Sequence, residues 1–416
     1  MKIVFQDPTF SIQLLRAVGE TYYKGADIGE CLSTAYRIKE GDFESWYKEW
    51  LNTAQRVHRY ADNSITAGHK VSAREAYLRA SNYYRLAEFF LMDPEDPRIQ
   101  TTWGNSKECF RKAAELFSPP FVIEPIEIPY EQTTLPGYLY KIDDYYDNYS
   151  NDSKHSKPRP TLIAHGGFDS TLEELYTSAA PALERGYNCL TFEGPGQGGV
   201  IRKQKIPFRY DWEKVVTPVV DYVLANRTKE IDPNRIALMG MSMGGYLAAR
   251  AAAFEHRISA CILYNGVYDG YDAFASSFPK PLLNAIEDGD SGVVNMVLGI
   301  LMESDPNIRF NMKHGMWTAG VNTPFELIQQ SKNYTIKDIV QNIKCPTLVL
   351  EAEKDDSFPG QPKKVYDALT CPKSYIRFTE QEGAEEHCQC GAPALSNQRI
   401  FDWLDQTFQK KEVLES

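Results

Sequence analysis

Gly240-Met241-Ser242-Met243-Gly244 sets a serine between glycines two places before and two places after it. The apolar run Arg235-Ile-Ala-Leu-Met precedes it, and Gly245-Tyr-Leu-Ala-Ala-Arg-Ala-Ala-Ala, a strong helix former, follows. A serine on so tight a strand-to-helix turn sits in strained backbone geometry, and only small flanking residues avoid the neighbouring strand and helix. The helix behind it points its amino end at any anion that develops there. This context predicts Ser242 as a nucleophile, with the backbone N–H of Met243 as one oxyanion donor.

Such a serine needs a base, and the base needs an acid to orient it. In nucleophile-elbow enzymes both follow the serine, acid first and histidine second. The chain has histidines at 58, 69, 155, 165, 256, 314 and 387, and only His387 lies beyond the next acidic strand end. It stands in Glu382-Gly-Ala-Glu-Glu-His-Cys-Gln, after the last predicted strand and before a final helix over 396–410. The acid comes from Cys345-Pro-Thr-Leu-Val-Leu-Glu-Ala-Glu-Lys-Asp-Asp-Ser-Phe-Pro, where Asp355 falls just past the apolar strand and Asp356 remains the alternative. Glu351 and Glu353 read as solvated strand-end charges.

Two glycine-rich loops complete the set. His165-Gly166-Gly167-Phe168-Asp169 ends a predicted strand, and its glycines let N–H groups turn toward the serine, so Phe168 is expected to supply the second oxyanion donor. His165 is expected to prop that loop. Glu193-Gly-Pro-Gly-Gln-Gly-Gly lacks the Gly-Lys-Ser/Thr of a phosphate loop and the spacing of a dinucleotide fingerprint, and reads as a tight turn beside the nucleophile. No cofactor and no metal are expected: Cys388 and Cys390 have no second Cys/His pair beside them.

The elements that must position these groups are of two kinds. Residues 1–120 read as a helical domain. Trp46, Trp50, Ala54, Val57 and Ala61 recur every three or four residues, and Ala73, Ala76, Ala80, Tyr84, Ala87 and Leu91 do so again. Ser72 and Glu75 suggest a capping box at the second helix, and a third is predicted over 105–117, stopped by Pro119-Pro120. Residues 121–416 alternate short apolar runs with helical stretches, the rhythm of a mostly parallel sheet with helices on both faces. The strands are predicted at 122–128, 137–142, 161–165, 188–192, 236–240, 260–264, 347–351 and 375–378. An exposed loop is expected over 144–160. An insertion of about 268–344, too long for a loop, is expected to cap the carboxyl edge of the sheet.

Four pieces together resemble the family of dihydroxypseudooxynicotine hydrolase and the fungal pigment hydrolases that shorten polyketides. They are His165-Gly-Gly-Phe-Asp-Ser-Thr, Phe192-Glu-Gly-Pro-Gly-Gln-Gly, Gly240-Met-Ser-Met-Gly-Gly-Tyr and Gly383-Ala-Glu-Glu-His-Cys-Gln. Ser72-Ala-Arg-Glu-Ala-Tyr-Leu-Arg-Ala-Ser-Asn-Tyr-Tyr-Arg looks like that family's amino-terminal domain. The resemblance implies an α/β-hydrolase fold roofed by the helical domain, commonly a homodimer, that cleaves an ester or a carbon–carbon bond beside a ketone. The carbon–carbon enzymes of the group are expected to carry an extra acid after the strand ending near Tyr264. Here Asp269 and Asp272 are candidates, though neither aligns cleanly and both fit solvent-facing turn positions.

The expected function is therefore serine hydrolysis of a small or medium carboxylic ester. The alternatives are carbon–carbon hydrolysis of a β-diketone or aryl ketone, amide or peptide cleavage, and a non-catalytic binding module. Trp46, Trp50, Tyr83, Tyr84, Phe274, Phe278 and Trp317 suggest an apolar or aromatic small-molecule substrate. A net charge of −11 argues against nucleic acid or an anionic membrane as partner. No secretory signal or membrane span is legible, and scattered cysteines fit a cytoplasmic location.

Overall fold

The computed structural model describes residues 1–143, 158–227, 229–276 and 278–415, with side chains through 409. The loop expected over 144–160 therefore lies outside the described residues up to position 157.

Five helices open the chain: α1 (Pro8–Gly19), α2 (Ile28–Ala35), α3 (Phe43–Thr66), α4 (Lys70–Glu88) and α5 (Pro97–Ala114). Asp7-Pro8, which looks like a break in the sequence, is a helix start. The Asp7 carboxylate accepts from the Thr9 and Phe10 N–H groups at 2.9 and 3.0 Å, and Pro8 occupies the first turn, where its missing N–H costs nothing. The expected capping box at Ser72 does not form: α4 begins two residues earlier, behind His69, with no side-chain cap, and Ser72 lies inside the first turn. The helix expected from residue 105 begins at Pro97, capped by Asp96. The α3 stripe of Trp46, Trp50, Ala54, Val57 and Ala61 is wholly buried against α4, and the Trp46 indole N–H donates to the Leu86 carbonyl at 2.7 Å.

The remainder alternates strand and helix: β1 (Phe121–Tyr130), β2 (Thr133–Ile142), β3 (Arg159–His165), α6 (Tyr176–Glu184), β4 (Asn188–Phe192), α7 (Glu213–Asn226), β5 (Ile231–Met241), α8 (Gly244–Ala252) and β6 (Ala260–Tyr264). Five helices then intervene: α9 (Gly270–Ala275), α10 (Lys280–Glu287), α11 (Ser291–Ser304), α12 (Pro306–Ala319) and α13 (Pro324–Ser331). They stand where the cap insertion is expected. The chain ends with β7 (Thr347–Ala352), α14 (Gln361–Ala368), β8 (Lys373–Phe378) and α15 (Pro393–Glu415).

The eight strands form one sheet in the order β1-β2-β4-β3-β5-β6-β7-β8. The pairs from β4 through β8 are parallel, while β1 and β2 form an antiparallel hairpin on one edge. Side chains alternate between two cores, as the pleat requires. Leu162, Ala164, Met239 and Ile262 face α6, α15 and the amino-terminal helices, whereas Ile163, Leu238, Cys261 and Leu263 face α7 and α8. Fully buried parallel strands explain why these segments read as continuous apolar runs. No helix among the described residues is long and apolar enough to cross a membrane.

Candidate active site

Four strand ends converge at the carboxyl edge of the sheet, beside the point where strand order reverses, the usual ligand crevice of such sheets. β5 delivers Ser242, whose φ of 62° is left-handed backbone held at a non-glycine residue. The Ser242 N–H donates to the Tyr264 carbonyl at 2.8 Å, which ties the turn to β6. The small neighbours have a measurable reason. A Cβ on Gly240 would stand 1.9 Å from the Gly244 carbonyl oxygen, and one on Gly245 would stand 1.8 Å from that of Asn265.

The loop after β8 brings His387 to the serine, with 2.8 Å between Nε2 and Ser242 Oγ. Its Nδ1 lies 2.9 and 3.0 Å from the two Asp355 oxygens. An ionised carboxylate only accepts, so Nδ1 carries the proton. In the neutral ring Nε2 is then free to accept from the serine hydroxyl. Asp355 is buried past the end of β7, and the Asn265 amide and the Ser357 N–H also donate to it. Burial pushes its pKa up, but His387 and the backbone N–H groups of Ser357 and Phe358 pull harder, and it rests below the usual carboxylate range. Burial pulls His387 down, yet the Asp355 charge and the adjacent Cys388 outweigh it, and the imidazole is held well above its ordinary value. Asp356, the alternative acid, is exposed and edges the cavity instead.

β3 delivers the third group. Gly167 lies so close to the serine turn that a Cβ there would meet Met241 O at 2.5 Å, Met243 N at 2.8 Å and Gly244 N at 2.9 Å. All three are backbone atoms that cannot swing aside. Among the described residues, neither the Met243 nor the Phe168 N–H donates to another protein group. Gly167→Ala is accordingly expected to push the loop out and lower kcat by about 100-fold or more while the protein stays folded. Turnover of a para-nitrophenyl ester and circular dichroism check both halves.

Two residues that sequence reading missed hold this arrangement. Asn265, itself at φ 74°, orients the acid. Gln197, in the loop read as a plain tight turn, donates from Nε2 to Gly166 O at 2.8 Å and Gly167 O at 3.1 Å, while its Oε1 accepts from the Gly194 N–H at 2.9 Å. Glu193 in the same loop accepts from Leu172 N–H at 2.6 Å. The second glycine-rich loop is thus a brace for the first. The signal was a lone glutamine among glycines, which does nothing as a turn residue. His165 is buried, donates from Nδ1 to Gly166 O at 2.9 Å and packs on Phe192 and Trp212. Burial lowers its pKa to about 4, so it stays neutral and props the loop from within.

Asp269 and Asp272 stand elsewhere, and Asp269 is buried by its partners where a solvent-facing turn position is expected. Asp269 caps α9 and pairs with Lys337 at 2.8 Å; Asp272, half exposed, lies near Lys337 and Lys364. Neither is among the described residues that line the cavity.

That cavity, of about 520 Å³, opens above Ser242 between α1 and the helices that follow β6. Phe168, Phe208, Phe274, Phe278, Phe310 and Phe358 give it an apolar wall. Among the described lining residues the arginine and the lysine are both engaged, Arg16 with Glu174 and Asp169, and Lys354 with Glu380. Of the aromatic residues that suggest an apolar or aromatic substrate, Phe274 and Phe278 reach the cavity and Trp317 is not among its lining. Trp46, Trp50, Tyr83 and Tyr84 are instead interior to the helical layer, as their regular helical spacing already allowed. The eight cysteines are all free.

Comparison with known proteins bears on the family. A model of the alpha/beta hydrolase family matches residues 161–395. Over its full length the chain is 37% identical to the 20-hydroxy-prefusarin hydrolase FUS2 of Gibberella moniliformis, covering all of both proteins. It is also 37% identical to the hydrolase LUC6 of a Fusarium species, over 98% of each. The crystal structure of the 2,6-dihydroxy-pseudo-oxynicotine hydrolase superposes with a TM-score of 0.71 over 93% of this chain and 94% of that one. At 24% identity that last likeness is one of fold.

Proposed function

The chain belongs to the alpha/beta hydrolase family, and we propose that within it this protein is a serine hydrolase acting on a neutral carboxylic ester of small to medium size. One observation carries the reading: a serine hydroxyl 2.8 Å from an imidazole nitrogen whose other nitrogen is 2.9 Å from a buried carboxylate. His387 removes the hydroxyl proton as Ser242 Oγ attacks the ester carbonyl carbon. The oxyanion accepts from the N–H groups of Met243 and Phe168. The imidazolium returns its proton to the departing alkoxide, leaving an acyl-enzyme, and water deprotonated by the same histidine releases the acid.

The cavity supports the substrate class. Its volume fits a molecule of moderate size, its wall is aromatic, and its lining arginine and lysine are already paired, which disfavours a free carboxylate as a recognition group. Carbon–carbon cleavage ranks second because the two acids suggested for it lie off the cavity.

A fluorophosphonate probe is expected to modify the enzyme once, on the peptide that contains Ser242. Para-nitrophenyl esters are expected to exceed a panel of β-diketones in kcat/KM. Preference for the diketones overturns the substrate ranking while leaving the nucleophile in place. Absence of labelling together with absence of turnover leaves a binding module instead.

A further inference from the structure

An oxyanion hole works only if its peptide planes are fixed before charge develops, because reorientation during the reaction costs what the hydrogen bond gains. A trans peptide is planar, so holding a carbonyl oxygen on one side holds the following N–H on the other. The loop after β3 obeys this residue by residue. The Gly166 and Gly167 carbonyls are held from below by Gln197, which turns the Gly167 and Phe168 N–H groups the opposite way. The next carbonyl, that of Phe168, is held by a residue from a different layer. His314 Nε2, on α12, lies 3.1 Å from Phe168 O.

Nothing in the proton transfers above uses His314. It is buried, and burial keeps its pKa near 4, so the ring is neutral, and a neutral ring bonded to a carbonyl must carry its proton on Nε2. Its seat is built from both helical layers. The ring stacks on Phe310 at 5.2 Å, Phe310 stacks in turn on Phe89 at 4.6 Å, and the Phe168 ring meets the imidazole edge-on at 4.8 Å. A contiguous aromatic row therefore runs from the end of α4, through the insertion, to the loop beside the serine. Phe310 and Phe168 both line the cavity.

We propose that His314 is a positioning residue for the oxyanion hole, holding the peptide after Phe168 while Gln197 holds the peptide before it. The insertion thereby completes the catalytic floor as well as covering it. This rests on the serine-hydrolase reading. It adds that the wall touched by the acyl chain is the wall that sets the hole, so a defect there appears in kcat more than in KM.

The test compares His314→Phe, which keeps an aromatic ring in the stack but has no N–H, with His314→Gln, whose amide reaches the same carbonyl. Para-nitrophenyl butyrate is the substrate, and a trifluoromethyl ketone, whose serine adduct carries an oxyanion, is the inhibitor. H314F is expected to lose about tenfold to a hundredfold in kcat, less than for deletion of a direct donor, with KM within threefold. Its inhibition constant for the ketone is expected to weaken by the same factor as kcat/KM, and H314Q is expected to recover to within about fivefold of wild type. Thermal denaturation reports folding. Should H314F fail to fold, His314→Met, which fills the seat without a donor, is set against H314Q with the same ketone: weaker inhibition in H314M alone supports the proposal, and equal inhibition in the two overturns it. Wild-type kcat in H314F, equal losses in both variants, or a change confined to KM each overturns the proposal. If Ser242→Ala still labels with fluorophosphonate, the serine reading falls and takes this one with it. If labelling vanishes there but H314F behaves as wild type, only this inference is lost.

Discussion

Ser242→Ala is expected to lower kcat/KM by about a millionfold, the scale seen when the serine of such a unit is removed. The size follows from the geometry. Ser242 Oγ is the atom against His387 Nε2, and no other hydroxyl is bonded to that nitrogen among the described residues. The nearest other candidate, Cys388 Sγ at 3.4 Å from Nε2, springs from left-handed backbone at φ 51°, off the strand-end turn. Stability should scarcely change, within about 1 kcal/mol, because Ser242 is only half-buried and the left-handed turn strains alanine much as it strains serine. Adding His387→Ala to Ser242→Ala should cost almost nothing more, since the two act as one unit. Single-turnover kinetics on an activated ester, beside thermal melts, measure all three. A fall smaller than about a hundredfold removes the serine from the mechanism.

Asp355→Asn is expected to cost about ten-thousandfold in kcat, through the tautomer rather than through shape. An asparagine fits the same pocket, though its one oxygen can keep only one of two donors that the carboxylate takes separately, the Ser357 N–H on Oδ1 or the Asn265 amide on Oδ2. Its own NH₂, however, can face Nδ1 only as a donor, which drives the ring proton to Nε2 and blocks acceptance from the serine. The variant also carries a pH signature. In the wild type the Asp355 carboxylate holds a proton on His387 well above the ordinary imidazole range, so the acid limb of kcat/KM lies at correspondingly high pH. Removing that charge lets the ring deprotonate sooner, and the residual activity should show its acid limb displaced toward lower pH. A pH–rate profile with the limb unmoved assigns the acid role elsewhere, with Asp356 next in line.

How far these groups could be read from the sequence follows from how each is held. The serine turn is local: five residues, the strand before and the helix after contain its whole geometry. His387 follows from chain order once the serine is chosen. Asp355 and Asp356 were harder to separate because both lie past the end of β7, where the strand's alternation no longer says which side chain points inward. Burial makes the difference, and burial comes from Asn265 and His387, far away in sequence. Gln197, marked only as a glutamine standing among glycines, and His314 are hard to read for another reason. They act on backbone carbonyls, which every residue has, so no pairing of side-chain types marks their targets. In the helical layer the heptad-like stripes of α3 and α4 were plain, but α1 was hidden because Asp7-Pro8 reads as a break until the cap is seen to form.

The chain divides its labour along the depth of the crevice. Every group assigned a bond-making role hangs from the carboxyl end of a strand, while most of the chamber above is faced by α1 and by helices inserted between β6 and β7. Side chains on those helices can be exchanged during divergence without touching the strand ends, so a lineage could explore new acyl groups at little risk to its chemistry. The exception is one turn of α12, where a change made for fit would also be felt by the reaction. Descendants that keep the activity while reshaping the roof should therefore vary everywhere along that helix except there.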